Sequence, residues 1–296
     1  TLDGYVEVHK YRYLYFVIML TAYILIICSN STIVYLIWIH QNLHEPMYIF
    51  IAALLLNSVL FSTSIYPKLL IDFLSEKQMI SYSACLFQAF FYYSLGSSEF
   101  FLLAAMSYDR YVSICKPLQY PTIMRKTTVY IFLVLAWLVP ASQFIVPVIL
   151  NANKKLCKFT FKGIICNSTI YKLQCVSSRA ESVYGPIILF NVAFFPVVFI
   201  LFTYSRIFII SYRSCREVRR KAAKTCLPHL LVLISFSFLS AYNTITLRVE
   251  SDFPKTVSLI MTLQVILYHP LFNPIIYGLK MKEISKHLKR LFSMKS

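Results

Sequence analysis

The sequence predicts an all-α membrane protein, a bundle of seven transmembrane helices followed by a short amphipathic eighth helix. Of its 296 residues, 58% are hydrophobic and only 14% are charged, which is too apolar for a soluble chain of this size. The chain offers seven apolar stretches, and a helix needs about 20 residues to cross the bilayer. These stretches are too long for the strands of a membrane β-barrel, so helices are the remaining structure that can span.

The predicted spans follow one another with mostly short polar connections, and no internal repeat or separate soluble domain interrupts them. We therefore expect one domain over residues 1–296, with an extracellular segment at 1–13, a helix bundle at 14–279 and a cytoplasmic tail at 280–296. The seven spans are Leu14–Ile39, Pro46–Leu74, Tyr82–Cys115, Thr128–Leu150, Val183–Tyr212, Ala223–Val249 and Thr256–Leu279.

The positions of basic residues predict which helix ends face the cytoplasm. With the N-terminus outside, the segments 116–126, 213–224 and 280–296 lie inside, and together they contain 15 Lys or Arg. The loop at 151–182 also contains basic residues and lies outside, but the positive-inside rule gives short loops more weight. The net charge is +17, and the basic residues responsible for it border the membrane spans. We therefore expect these residues to contact lipid headgroups rather than nucleic acid.

Four of the eight cysteines lie on the predicted outer side. Cys85 begins the third span, and Cys157, Cys166 and Cys175 lie in the long loop after the fourth. The outer face is oxidising, so two disulfides can form there, although counts alone leave the pairing open. Asn167, beside Cys166, begins the sequon Asn-Ser-Thr and is a candidate glycosylation site.

The predicted eighth helix follows the seventh span at Lys282–Phe292. Its apolar residues recur at helical spacing and its basic residues lie on the opposite side, which is typical of a helix on the membrane surface. The apolar residues are Ile284, Leu288, Leu291 and Phe292, and the basic ones are Lys286, Lys289 and Arg290.

Glu99 lies in the middle of the third predicted span. A carboxylate at that depth must be paired, neutralised or bound to a cation, so we expect it to face the bundle interior. A transporter or channel would also place a carboxylate there, but the matching halves and paired broken helices common in transporters are absent from the sequence. His, Asp and Cys show no triad or metal-ligand spacing, so we expect no enzyme and no cofactor.

The third span ends in Asp109-Arg110-Tyr111, within the ten residues Met106–Cys115 (MSYDRYVSIC). Further motifs begin or end other spans: Pro46-Met47-Tyr48, Lys221–Cys226 (KAAKTC) with His229, and Pro270–Tyr277 (PLFNPIIY). In these motifs, and in Trp137 and Tyr204, the chain resembles the odorant receptors of the rhodopsin-like G-protein-coupled class over nearly its whole length.

The resemblance implies that the protein binds a small-molecule odorant and activates a heterotrimeric G protein, of the stimulatory olfactory type that raises cyclic AMP. It implies a plasma-membrane location in sensory-neuron cilia, and disulfides Cys85–Cys166 and Cys157–Cys175. It places the G-protein contact and the activation switch at Asp109, Arg110, Tyr111, Tyr204, Asn273, Pro274 and Tyr277. A receptor for a peptide or another non-odorant ligand is the alternative within the class.

Two features of the candidate switch leave more than one interpretation open. Pro274 cannot donate a helix hydrogen bond and frees a carbonyl that Asn273 or water can engage, which gives an adjustable helix or a static kink. In the family, Glu99 would share a sodium ion with an Asp of the second span, but that position is Ser58, beside Asn57. Bound sodium and a protonated Glu99 hydrogen-bonded to Ser58 or Asn273 both stay open.

A ligand pocket is predicted from the polar residues on the outer side of Glu99. Steps of three and four residues lead from Glu99 to Gly96 and Tyr92, and the sixth span carries a polar series that begins at Ser237. We expect the pocket lining to include Tyr92, Tyr93, Gly96, Ser97, Ser240, Thr244 and Arg248. Arg248 either anchors an anionic or carbonyl-bearing ligand or extends to the lipid headgroups.

Overall fold

The computed structural model describes residues 1–5, 8–175, 179–213, 226–227, 229–241 and 255–293. The long helices are α1 (Val8–Ile39), α2 (Pro46–Leu74), α3 (Tyr82–Cys115), α4 (Lys126–Asn151), α5, α6 (His229–Ala241), α7 (Lys255–Lys280) and α8 (Lys282–Ser293). Helix α5 consists of Arg179–Leu189, a π-helical turn at Phe190–Phe194, and Phe195–Tyr212.

Most of these helices have the length and hydropathy of membrane spans. Within the described residues, the segments Lys10–Ile39, Pro46–Leu74, Lys126–Asn151, Val183–Tyr212 and Lys255–Leu279 are long and apolar enough to cross a bilayer. Helix α3 has 34 residues, and its serines, tyrosines and Glu99 lower its hydropathy. Helix α6 is the longest described part of the sixth predicted span, whose residues 223–225, 228 and 242–249 lie outside the described ranges. The all-α class predicted from the sequence is confirmed.

Local sequence explains where two helices begin. Pro46 opens α2 after an extended Glu45, a position where the missing proline N–H costs nothing. Ser81 precedes α3, and its hydroxyl accepts a hydrogen bond from the Ala84 amide at 3.2 Å. This N-cap satisfies one of the amides that have no partner in the first turn.

Prolines inside the spans leave carbonyls that other side chains engage. Pro147 in α4 cannot donate to the Gln143 carbonyl, and the Tyr184 hydroxyl of α5 donates to that oxygen instead, at 3.3 Å. In α5, Pro196 follows directly after the π-helical turn, where the regular hydrogen-bond pattern is already interrupted. The departures from regular helical hydrogen bonding at these two places therefore have identifiable causes in the sequence.

Helix α3 lies at the centre and packs against α2, α4 and α5, while α1 packs against α2, α7 and α8. Large apolar side chains are exposed around the outside of the bundle, as Trp38 (75% exposed), Leu138 (61%) and Phe202 (62%) show. So many exposed apolar side chains fit a surface covered by lipid rather than water.

The long loop between α4 and α5 covers the end of the bundle where α3 begins. It is held by disulfides Cys85–Cys166 and Cys157–Cys175, the pairs that the family resemblance implies. The N-terminal segment lies on this loop: the Asp3 amide donates to the Phe161 carbonyl, and Leu2 is buried. We call this end of the molecule the disulfide end, and the opposite end the Arg110 end.

Candidate functional site

A buried polar network joins three helices midway between the two ends. Glu99 of α3 is only 6% exposed, and its Oε1 accepts a hydrogen bond from the Asn273 amide nitrogen of α7 at 3.0 Å. The same nitrogen donates to the Ser58 hydroxyl of α2 at 3.2 Å, and Ser58 donates to the Leu54 carbonyl. An amide NH₂ group has two hydrogens, so Asn273 satisfies both partners at once.

This arrangement of Glu99, Ser58 and Asn273 does not fit a sodium ion. A hard cation takes oxygen ligands, whereas here an amide nitrogen stands between the Glu99 carboxyl and the Ser58 hydroxyl and donates to both. Ser58 also leaves Glu99 as the one carboxylate in the network. Hydrogen bonds from Asn273 therefore link Glu99 to Ser58 in this arrangement.

Asn57, next to Ser58, extends the polar contacts to α4. Its amide nitrogen donates to the Leu95 carbonyl of α3 at 2.9 Å, and its side-chain oxygen accepts from the Trp137 indole at 3.1 Å. The two ends of the Asn57 side chain thus form hydrogen bonds that connect α2 to α3 and to α4. Neither of these bonds involves Glu99.

Asn30 of α1 engages the carbonyl that Pro274 leaves free in α7. Because Pro274 has no N–H, the carbonyl four residues earlier, at Pro270, lacks its helical donor. The Asn30 amide nitrogen donates to that oxygen at 2.8 Å, and also to the Ile26 carbonyl of its own helix at 2.8 Å. The sequence had pointed to Asn273 or water for this role; in the structure Asn273 instead points to Glu99 and Ser58.

At the Arg110 end, the arginine side chain is held by its neighbour Asp109. Asp109 is fully buried and accepts from two guanidinium nitrogens of Arg110, one of them Nε at 2.9 Å. Its other oxygen accepts from the Tyr120 hydroxyl at 2.7 Å. Burial and the charge of Asp109 raise the pKa of Tyr120, so this hydroxyl keeps the proton that it donates.

The remaining predicted switch residues lie around this pair. Tyr277 of α7 is fully buried, and its hydroxyl lies 3.3 Å from Nδ1 of His229 in α6. Tyr204 of α5 is also buried, and its hydroxyl has no hydrogen-bond partner among the described residues. Tyr111 is partly buried and its ring lies 6.4 Å from that of Tyr108.

The predicted pocket residues of α3 lie on two sides of that helix. Gly96 and Tyr92 face Phe61 of α2, since a Cβ on Gly96 would meet Phe61 at 3.9 Å and the Tyr92 and Phe61 ring centroids are 5.6 Å apart. Tyr93 lies on the α4 side: it stacks on Phe144 and its hydroxyl accepts from the Ser168 amide at 3.0 Å.

The other predicted pocket residues are placed only in part. Ser97 is buried, and Ser240 lies near the end of α6. Thr244 and Arg248 lie outside the described residues. Asn167, the candidate glycosylation site, uses its side-chain oxygen to accept from the amide and hydroxyl of Thr169.

Comparison with known proteins identifies the family of the chain. The family profile described as olfactory receptor matches residues 18–295. Human olfactory receptor 11G2 is 34% identical over 295 residues, which cover 94% of this chain and 81% of that receptor. Human olfactory receptor 11H2 is 33% identical (93% and 85% covered), and mouse olfactory receptor 4B13 is 33% identical (95% and 91% covered).

The chain belongs to the olfactory receptor family. It is therefore a G-protein-coupled receptor with a seven-transmembrane helical bundle, a multi-pass protein of the plasma membrane, and a member of a family that is not an enzyme class. In this olfactory receptor the Asn273 amide of α7 bridges α2 and α3 through Ser58 and Glu99.

Sequence reasoning about this olfactory receptor did not single out Tyr120 and Leu118. Both lie in the segment after α3, where Leu118 is 96% exposed while Tyr120 bonds to Asp109. The available signal was their position just after Asp109-Arg110-Tyr111, in a short connection at the Arg110 end. Leu118 therefore takes no part in core packing.

Proposed function

We propose that this olfactory receptor binds a small-molecule odorant within its helix bundle and activates a heterotrimeric G protein of the stimulatory olfactory type, which raises cyclic AMP. The observation that carries the proposal is the Asn273 amide, buried midway along the bundle and bonded to α2 and α3 together. Any shift of α7 against α3 must break or replace one of these bonds, so the contact has discrete states.

A ligand in the outer half of the bundle acts by favouring one of those states. At the far end, the proposed output is release of Arg110 from Asp109, which makes a guanidinium available to the G protein. The exposed Leu118 lies on the same end and adds an apolar contact for that partner. The ligand site, the polar network and the Arg110 end are thus linked through α3 and α7.

The proposed orientation has the disulfide end outside the cell and the Arg110 end in the cytoplasm. It is supported by the 15 Lys or Arg in the three segments at the Arg110 end, and by disulfides at the other end, since these form in oxidising surroundings. We further propose that the receptor is located in sensory-neuron cilia, as its family membership suggests.

A cyclic AMP reporter screen tests the proposal. Cells expressing the chain are exposed to small acids, amino acids, aldehydes and amines, beside cells expressing Arg110→Ala at matched surface density. We expect at least one class to raise cyclic AMP in the wild type, and the variant to give no signal because its cytoplasmic switch is lost. Equal responses from the two receptors would contradict the proposal.

Arg248 provides a prediction about ligand chemistry. A guanidinium binds a carboxylate bidentately, so Arg248→Ala should weaken the potency of an acidic agonist by roughly tenfold or more, corresponding to a charge-assisted bond of about 1.5–3 kcal/mol. Arg248→Lys should recover the potency only in part. The measurement is the agonist concentration for half-maximal cyclic AMP. Unchanged potency of an acidic agonist in the alanine variant would assign Arg248 to membrane anchoring alone.

A further inference from the structure

Two histidines meet where α8 returns to the end of α1. The ring centroids of His40, just after α1, and His287, on α8, are 3.8 Å apart. Asn42, in the short helix after His40, places its amide nitrogen 3.2 Å from His287 Nε2. We call these three residues the histidine clasp. His287 is only 7% exposed, so the contact is part of the packed structure.

The contacts of the clasp favour neutral imidazoles. His40 Nδ1 lies 2.9 Å from the Leu36 carbonyl, which can only accept, so Nδ1 carries the proton of that ring. The Asn42 amide nitrogen donates to His287 Nε2, so this nitrogen must be unprotonated. A second proton on either ring would place a cation against the other ring, and a proton on His287 Nε2 would require the Asn42 amide to turn its oxygen towards the ring.

The charges around His287 oppose its protonation overall. Burial is the largest cause that lowers the pKa of His287, followed by His40 on the facing element and by Arg290 and Lys286 on its own helix, whereas Glu283 acts in the opposite direction. Within the described residues, no group of three His, Cys, Asp or Glu is placed to hold a metal ion. The clasp therefore suits a proton rather than a metal as its ligand.

The direction of the pH effect follows from this lowered pKa. The ordinary pKa of histidine is 6.5, so a released α8 binds more protons than the docked helix once the pH falls towards and below that value. Docking is strongest well above pH 6.5 and weakens as the pH falls through that value. Helix α8 also makes apolar contacts that do not depend on pH: Ile284 is fully buried, and Leu288 packs against Gly278. Acid therefore weakens the docking of α8 without removing these contacts.

We propose that the histidine clasp makes the docking of α8 on the end of α1 depend on pH, holding the helix at neutral pH and loosening it in acid. The clasp goes beyond the proposed signalling function, and its exposure to cytoplasmic pH rests on the proposed orientation. A loosened α8 would change the surface that the receptor presents beside the Arg110 end. Cellular acidification would then reduce coupling without any change at the ligand site.

Amide hydrogen exchange of the purified receptor in lipid nanodiscs tests the clasp, because the buffer reaches both faces there and orientation does not matter. Protection of the amides at 282–293, corrected for the intrinsic pH dependence of exchange, should fall between pH 7.5 and pH 5.5, by at most about tenfold if one histidine takes up a proton on release. Protection in α4 should not change. Equal α8 protection at the two pH values would overturn the proposal, and this measurement needs no variant.

Three variants identify the titrating groups. His40→Phe/His287→Phe keeps two aromatic rings in contact and should remove the pH dependence. Asn42→Asp supplies an acceptor for protonated His287, so its α8 should keep full protection in acid. His44→Phe is the matched control: His44 lies in the same loop, bonds to the Trp38 carbonyl, and should leave the pH dependence as in the wild type. Persistence of the pH dependence in the double phenylalanine variant would contradict the proposal.

Discussion

At the scale of single residues, Asn273 shows how one side chain connects three helices. Its two amide hydrogens reach Glu99 and Ser58, both buried, so one side chain of α7 supplies hydrogen bonds to α2 and α3 together. Buried polar groups that lose their partner cost more than the bond itself contributed. Asn273 thus stabilises the bundle, and a movement of α7 would break its hydrogen bonds to α2 and α3.

Asn273→Leu should lower the stability of the receptor, because it removes both donors while keeping the branched shape of the side chain. We expect a loss of about 1–3 kcal/mol in the free energy of unfolding. Thermal unfolding of purified protein measures it. Thr32→Val is the control, since Thr32 is exposed and bonds only to the Cys28 carbonyl of its own helix. If both variants melt at the wild-type temperature, Asn273 does not stabilise the polar network.

Tyr120→Phe should raise signalling in the absence of ligand. The Tyr120 hydroxyl is one of the donors that fix Asp109, and Asp109 in turn fixes Arg110, so its loss favours release of the guanidinium. A shift of about 1 kcal/mol would increase basal cyclic AMP roughly fivefold while the active state is rare. Tyr130→Phe, at an exposed position of α4, serves as the control. A lower or unchanged basal signal would show that Tyr120 does not restrain Arg110.

At the scale of elements, α1 supplies a hydrogen bond that α7 lacks. Pro274 removes one helical hydrogen bond, and Asn30 replaces the missing donor from a residue 240 positions earlier in the chain. A side chain of α1 therefore supplies the hydrogen bond for a carbonyl of α7. This coupling explains why a proline in the middle of a span is tolerated.

Asn30→Ala and Pro274→Ala should not have additive effects on stability. The first variant leaves the Pro270 carbonyl without a donor and should cost about 1–3 kcal/mol. Pro274→Ala returns a backbone N–H to that carbonyl, so the double variant should recover part of the loss. Thermal unfolding of the two single variants and the double variant gives the coupling energy. Simple addition of the two effects would show that Asn30 acts elsewhere.

At the scale of the whole molecule, the disulfide end is cross-linked by two disulfides that differ in sequence separation. Cys85–Cys166 joins α3 to the loop across 81 residues, whereas Cys157–Cys175 closes 18 residues within the loop. A longer closed chain segment loses more conformational freedom in the unfolded state. The first bond therefore constrains the bundle, and the second constrains mainly the loop.

Removal of the two disulfides as paired alanine variants should give losses in that order. Loop-closure entropy predicts about 4.5 kcal/mol for Cys85→Ala/Cys166→Ala and about 3 kcal/mol for Cys157→Ala/Cys175→Ala. Thermal unfolding and the fraction of receptor at the cell surface report both effects. Cys28→Ala, a free cysteine, should change neither. Non-reducing peptide mapping that finds Cys85 joined to another residue would contradict this account.

The sequence by itself determined the secondary structure and the kinds of residues at the centre. Runs of about 20 apolar residues must satisfy their own backbone hydrogen bonds in lipid, so helices followed from composition and length. Glu99, Asn273 and Arg110 stood out for the same reason, since polar side chains in such runs need partners.

Only the tertiary structure decided which residues are the partners of these polar side chains. Asn30 reaches Pro270 across 240 residues and Tyr93 faces Phe144 rather than sharing the side of Gly96, because rotation of each helix about its axis depends on packing with its neighbours. The contact of His40 with His287 likewise exists only because α8 folds back onto α1. Local sequence fixes a helix and its faces, but the contacts between helices depend on side-chain packing across the whole bundle.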